Sequence, residues 1–402
     1  MKTIVALLLC ALFGSCSHLP TLPPPDDLFH DTAFAAPAVP VDGGAALVLS
    51  PAMRTFLATR LPSRQRPGDR RQQLIDALYR GELRLEYDAG VTRTAAQAFD
   101  ARSGNCLALV LMTAAFAKEL DLKVRYQVVV GEESWDRAGE LVIAIGHINL
   151  VIEERREPGG FITSAGPMVV DFLAPRDAHR LVTEPVAEAR VVAMYLNNRA
   201  VESLARGEVD TAYWWAREAA RTDPQLCSGY VSLGVVYRRH GQPRWAEAAL
   251  RRVTDREPEH RHALSNLTGV LRELGRPAEA DALAQRLARL DPHPPFGYFL
   301  EGQAALREGR YEAARRLFAK EVERAPYHHE FEYWLALTYA ELDDAERAAA
   351  HLRRADGRQH HPQGPRAVRG QAGAAEGAAH AVAGSGQHRV GRELQHLVAR
   401  TA

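Results

Sequence analysis

The chain has few cysteines: four in 402 residues, two of them, Cys10 and Cys16, at the very start. That excludes the dense disulfide framework of a small secreted scaffold. Charge of one sign is not in excess, since 50 basic residues meet 50 acidic ones. No global field therefore steers the chain toward nucleic acid or an anionic membrane. The apolar opening "MKTIVALLLCALFGSC" is too short to span a bilayer as a helix. No glycine-rich loop of the phosphate-cradling kind occurs. His328 and His329 in "HHEFEYW" are adjacent and would diverge on a helix, with no third residue at ligand spacing. Neither a metal nor a cofactor is implied.

What is present begins with a leader. Lys2, an apolar run and small residues make residues 1–16 a secretory signal. Its end, "LFGSC", resembles the lipobox of bacterial lipoproteins, although Phe13 is larger than the residue usual there. The resemblance implies acylation of Cys16 and a lipid anchor. Ser17 in place of Asp implies sorting to the outer membrane of the cell envelope, facing the periplasm. Residues 17–47 are proline-rich and are expected to form an extended tether. The apolar piece "LFHDTAF" is expected to dock on the domain that follows.

Residues 48–190 pass from helical to strand periodicity. "SPAMRTFLATRL" starts a helix with Ser50 as cap and Pro51 at the first helical position. "DRRQQLIDALYRG" is a second amphipathic helix. Gly104 and Asn105 form a turn, and from Leu107 to Ala117 every residue but Thr113 is apolar. In "LKVRYQVVV" polar Lys123, Arg125 and Gln127 alternate with Val124, Tyr126 and Val128, the mark of a half-buried strand. "ELVIAIGHINLVIEE" predicts a central strand, and "PMVVDFLAP" another, ended by Pro175. "WDRAGE" and "REPGG" are expected in surface loops. The unit predicts an α+β fold, helices followed by an antiparallel sheet.

Cys106 stands where turn becomes helix. It is either a small packed residue or a placed thiol. A helix N-terminus favours the thiolate through unpaired N–H groups and the helix dipole, and the same groups suit an oxyanion. His147 is the only histidine between His30 and His179, and it shares a strand face with Asn149. Asp171 lies on the following strand, within reach of an antiparallel partner. Cys227 reads as a small buried helix residue, and pairing with Cys106 is opposed by their lying in different domains.

A cysteine at a helix start, a histidine on a strand and an aspartate on the next resemble the transglutaminase-like superfamily of cysteine peptidases and acyl transferases. The carrying pieces are "GNC", "GHINLVIE" and "VVDFLAP". The resemblance implies Cys106 as nucleophile, His147 as general base and acid, and Asp171 as the orienting carboxylate. Gln97 is a candidate helper for the oxyanion.

The second half repeats. Pro224, Pro258, Pro292 and Pro326 are spaced by 34 residues, as are Gly207, Gly241, Gly275 and Gly309. Ala212, Ala246, Ala280, Ala314 and Ala348 keep the same step. This period resembles the tetratricopeptide repeat (TPR), an all-α superhelix of helix pairs. Four full repeats and a fifth, with Asp343 at the glycine position, span 193–355. The concave face of such an array binds proteins or peptides. Arg238, Arg239, Arg272 and Arg307, with Phe296, Phe299 and Tyr333 near them, are the candidate partner-binding residues.

After Ala355 the pattern stops. One codon choice for "RQHHPQGPRAVRGQAGAAEG", read one base later, encodes "GSTTRRDRALYAGKLERLK", a plausible capping helix. Residues 357–402 are accordingly expected to be a frameshifted tail. Two readings of the whole chain follow: an envelope cysteine peptidase or amide acyl transferase that recruits substrate through its repeats, or a non-catalytic lipoprotein scaffold.

Overall fold

The computed structural model describes residues 21–355, apart from positions 24, 38, 62–68, 81–82, 84, 89, 139–140, 154–166, 173–181 and 327. The lipoprotein leader with Cys16, and the tail at 357–402, lie outside the described residues.

The N-terminal unit is built around one helix. α1 (Pro51–Arg60) starts as its sequence requires, with Ser50 Oγ accepting from the Met53 N–H at 3.2 Å, and it buries Met53 and Leu57. α2 (Arg70–Ile75), capped by Asp69, widens into a π turn at Asp76–Arg80 and buries Leu74 and Leu78. β1 (Glu86–Tyr87) precedes α3 (Ala95–Ala101), which carries a Thr94/Gln97 capping box. β2 (Ser103–Gly104) pairs in parallel with β1, Tyr87 opposite Gly104. α4 (Cys106–Glu119) follows, with every residue from Cys106 to Ala117 buried. A helix apolar on all sides has to be central. Its one polar interior group, Thr113, donates to the Leu109 carbonyl at 2.7 Å and shares a hydrogen bond with the Tyr79 hydroxyl.

The sheet is antiparallel, in the order β5-β4-β3-β6: β3 (Lys123–Ala138), β4 (Leu141–Glu153), β5 (Met168–Val170) and β6 (Val182–Val186). β3 runs on to Ala138, so most of "WDRAGE" is strand rather than surface loop; the pairing Ala138↔Leu141 continues the ladder to the hairpin end. Ile148, Leu150 and Ile152 join the same buried cluster as α4.

Ten helices follow as five antiparallel pairs: α5 (Glu188–Ala205) with α6 (Val209–Thr222), α7 (Cys227–Arg239) with α8 (Pro243–Arg256), α9 (Arg261–Glu273) with α10 (Pro277–Leu290), α11 (Gly297–Arg307) with α12 (Tyr311–Arg324), and α13 (His329–Glu341) with α14 (Ala345–Ala355). The glycines at 207, 241, 275 and 309 close the first helix of each pair with φ of +78, +76, +73 and +72°. That left-handed conformation is cheap only for glycine, which explains the period. In the fifth pair Asp343 holds it at +58°, a place aspartate tolerates better than most residues. All five in-register alanines are fully buried. A Cβ on Gly234 would stand 2.6 Å from Leu250 Cγ, and one on Gly302 2.8 Å from Phe318 Cε1, so the pairs pack at glycine distance.

The two halves are one packed body: a single buried cluster runs from Leu22 through α4 to Ala280. Contrary to expectation, "LFHDTAF" docks on the repeats rather than on the α+β unit. Phe34 stacks on Tyr213 with ring centroids 3.9 Å apart.

Candidate functional site

Cys106 is the first residue of α4. Asn105 is its cap, accepting from the Ala108 N–H at 2.9 Å. The Asn105 amide in turn donates to Thr92 Oγ1 at 2.8 Å. Thr92 is 1% exposed and is itself held by the first repeat helix: its N–H donates to Glu202 Oε1 at 2.7 Å, and Asn198 Nδ2 donates to its hydroxyl at 3.3 Å. The turn before the cysteine is thus fixed from inside the repeat domain. Nothing in the sequence pattern marks Thr92, because its role comes from a contact more than 100 residues away.

His147 sits where the β3–β4 register breaks. Ile148 still pairs with Val128, but Gly146 pairs with Glu133. Extra residues on the facing strand bend the ladder there, and such bulges re-aim a side chain. The imidazole is 8% exposed. Its Nε2 lies 2.7 Å from Asp171 Oδ1 and 2.9 Å from Oδ2. Asp171 is one residue past β5, and the register Leu150↔Val170 brings it beside Asn149. Asn149 Nδ2 donates to Asp171 Oδ2 at 3.1 Å, which orients the carboxylate.

The second side chain acting on the imidazole is Cys106. Burial lowers the His147 pKa, but the hydrogen bond to Asp171, then the Cys106 thiol, and then the charges of both outweigh it. The result is a histidine raised to about 9. Nδ1 is buried without an aligned hydrogen-bond partner. The thiol is therefore near the ring but not aligned with it. The structure brings Cys106, His147 and Asp171 together. Chemically the set offers a thiol at a helix start, a buried protonated imidazole and a carboxylate that holds it.

Tyr87 belongs to the same site and was not foreseen. Burial first, then the Cys106 sulfur, push its hydroxyl well above the ordinary phenol range, while the Cys106 backbone N–H acts the other way. The only advance signal was its place on a short strand, which pairing with Ser103–Gly104 carries up to the cysteine turn. Gln97 closes the α3 capping box, its side-chain oxygen accepting from the Thr94 N–H at 3.1 Å.

Cys106 and Cys227 are both free and buried. Cys227 Sγ donates to Glu257 Oε1 at 3.2 Å, and burial together with the Glu257 charge pushes its thiol up to about 12. Among the described residues, no cluster of three or more His, Cys, Asp or Glu could hold a metal ion. No helix among them is long and apolar enough to cross a membrane.

The partner-binding candidates divide. Arg238, Arg239, Arg272 and Arg307 are exposed at the ends of first helices. Arg238 pairs with Glu273 at 2.7 Å, and Arg272 with Asp281 at 3.3 Å. Phe299 is fully buried in a second cluster with Phe318 and Phe331, and Phe296 is buried beside it. Neither ring can line a binding surface. Phe299 on α11 packs against Phe318 of the paired helix, and Phe296, the cap before α11, packs against Phe331; only packing reveals which side of a short apolar helix is buried.

The tetratricopeptide repeat family model matches residues 231–295 and 299–365. No curated protein matches the chain. Among solved structures, YrrB, a TPR protein with an unusual peptide-binding site, is 24% identical over 41% of this chain and 85% of its own, with a TM-score of 0.24. PilF of Pseudomonas aeruginosa is 20% identical over 43% of this chain and 78% of its own, with a TM-score of 0.28. MamA from Desulfovibrio magneticus RS-1, from residue 41 on, is 20% identical over 42% and 95%, with a TM-score of 0.25. The C-terminal half of the chain is an array of TPR repeats. That assignment rests on the family match and the 34-residue register.

Proposed function

We propose that the chain is a TPR protein-binding scaffold of the bacterial cell envelope. The observation that carries this reading is that the first repeats already hold an extended stretch of chain, residues 22–35. They hold it through side chains that bond to its main chain, as Gln225 does to both the N–H and the carbonyl of Leu22. Exposed arginines at the ends of α7, α9 and α11 remain for a second contact. Cys16 anchors the scaffold through lipid at the outer membrane, and the repeats face the periplasm.

The test is a photo-crosslinking residue at position 239 in cells, with the captured protein identified by mass. Reversing the charge of Arg238 and Arg272 in that protein should abolish the adduct. An adduct of unchanged yield would remove the arginine face. Metabolic labelling with a fatty-acid analogue should tag the protein, and Cys16→Ala should remove the tag.

A second reading is favoured by the closeness of Cys106, His147 and Asp171. On it, the N-terminal unit is transglutaminase-like and the protein is a cysteine peptidase or amide acyl transferase. The Cys106 thiolate attacks an amide carbonyl, and His147 gives its proton to the leaving nitrogen as the C–N bond breaks. A thioester remains, which water or an amine then opens. Trapping that thioester by mass spectrometry would favour this reading over the scaffold. A Cys106 whose labelling by iodoacetamide is unaffected by His147→Ala would dismiss it.

A further inference from the structure

Residues 22–35 are held as a ligand is held. Their described residues form no regular helix or strand, only 3-10 turns at Asp26–Leu28 and Asp31–Ala33. Repeat side chains instead satisfy their main chain. Besides Gln225, the Tyr213 hydroxyl accepts from the His30 N–H at 2.9 Å, Tyr237 donates to the Leu28 carbonyl, and Trp214 donates to the Ala35 carbonyl at 2.7 Å. Rigid amphipathic rings that bond to a foreign backbone are what peptide-recognition surfaces use.

The side chains are read as well. Arg217 grips both carboxylate oxygens of Asp31, at 2.7 and 2.8 Å, and Tyr213 donates to the same carboxylate at 2.6 Å. Arg252 grips both oxygens of Asp27, at 2.7 and 2.6 Å. The two-nitrogen fork of Arg217 on Asp31 fixes register as well as charge, whereas Arg252 meets both Asp27 oxygens through Nη2. Three residues beyond Asp31, Phe34 lies flat on Tyr213 with an interplanar angle of 4°. One residue before it, His30 stacks on Trp245 at 3.8 Å. The groove made by α6, α7 and α8 thus selects a peptide whose 3-10 turn sets an acidic residue three before an aromatic one, with a further acid upstream.

We propose that this groove is a recognition site for such acidic–aromatic peptides in a partner protein, and that residues 22–35 are an exchangeable occupant held in cis. The inference deepens the scaffold reading by naming the partner's chemistry. Charge complementarity and the resident sequence itself define the occupant. A segment tethered in cis competes at an effective concentration in the millimolar range, so a partner must match its contacts to displace it.

The probe is a fluorescein-labelled peptide of residues 21–36, titrated by anisotropy into the full-length protein. Asp31→Ala with Phe34→Ala in the full chain should bind it at least about tenfold more tightly than wild type, because the cis competitor is weakened. Adding Arg217→Ala should remove that gain, and a peptide with Ala in place of Asp31 should fail. A strap-weakened chain with a wild-type far-UV spectrum and no tighter binding would overturn the inference. If that variant does not fold, hydrogen exchange on the wild type decides. Millimolar peptide should speed exchange of the His30 and Leu22 amides, and continued protection would overturn the proposal. Concentration-dependent dimers that exchange the strap between copies would also overturn it, by making a second copy the occupant. A chain that captures a partner through its arginine face yet ignores the peptide would sink this inference alone.

Discussion

The His147–Asp171 pair makes the most direct prediction. The imidazole is raised from 6.5 to about 9 against the burial that would lower it, chiefly by its hydrogen bond to Asp171 and then by the Cys106 thiol. Asp171→Asn keeps the shape and removes the charge. An opposite charge within about 4–6 Å commands about 1–3 pH units, so the His147 midpoint should fall by that much in the variant. The assay is a carbon-edited NMR titration of the histidine C–H signals, with His147 assigned by His147→Gln. The same shift has a thermodynamic sign. The folded pKa lies above the unfolded one, so the stabilisation is complete below about pH 6.5 and is lost as pH rises through about 9. At about 1.36 kcal/mol per unit, the gap amounts to about 3 kcal/mol. Wild type should therefore lose about 1–4 kcal/mol more than Asp171→Asn between pH 6 and 9.5, at about 1.36 kcal/mol for each unit by which the variant's midpoint falls, read from exchange of the α4 amides. A His147 that titrates near 6.5 in both proteins, or parallel stability slopes, would refute the coupling.

Asn105→Ala should cost about 1 kcal/mol, the usual worth of a helix cap, and should also free Thr92; a lower melting temperature with slower iodoacetamide labelling of Cys106 is the expected pair of results. Gly234→Ala forces a Cβ to 2.6 Å from Leu250, so it should destabilise by about 1–3 kcal/mol as overpacking does, despite alanine's better helix propensity. Denaturant melts would detect it, and a stabilised variant would show that α7 and α8 have room to part.

The repeats were legible in sequence because the backbone demands them one residue at a time. A left-handed φ at 207, 241, 275 and 309 leaves glycine as the cheap choice. A fully buried contact at 212, 246, 280, 314 and 348 leaves alanine. The juxtaposition of Cys106, His147 and Asp171 was legible for a similar reason: a cap, a strand parity and a following strand place three side chains by local rules. What local rules do not carry is contact across the chain. Phe299 looked like a surface aromatic because a first helix exposes one side and buries another, and spacing alone does not say which. Tyr87 reaches Cys106 only through the pairing of two-residue strands. Thr92 matters only because Glu202, 110 residues later, takes its N–H. The strap is the clearest case. Its prolines and aspartates carry the composition of a solvated tether, and nothing in that composition tells Asp31 from a free charge. Arg217 and Tyr213, more than 180 residues away, make the difference. Asp31 stays partly exposed, so what fixes it in place is the pair of partners, Arg217 and Tyr213, that already stand on a rigid helix. The same dependence makes the strap replaceable, since any segment that offers the acid and the ring at that spacing meets the same partners.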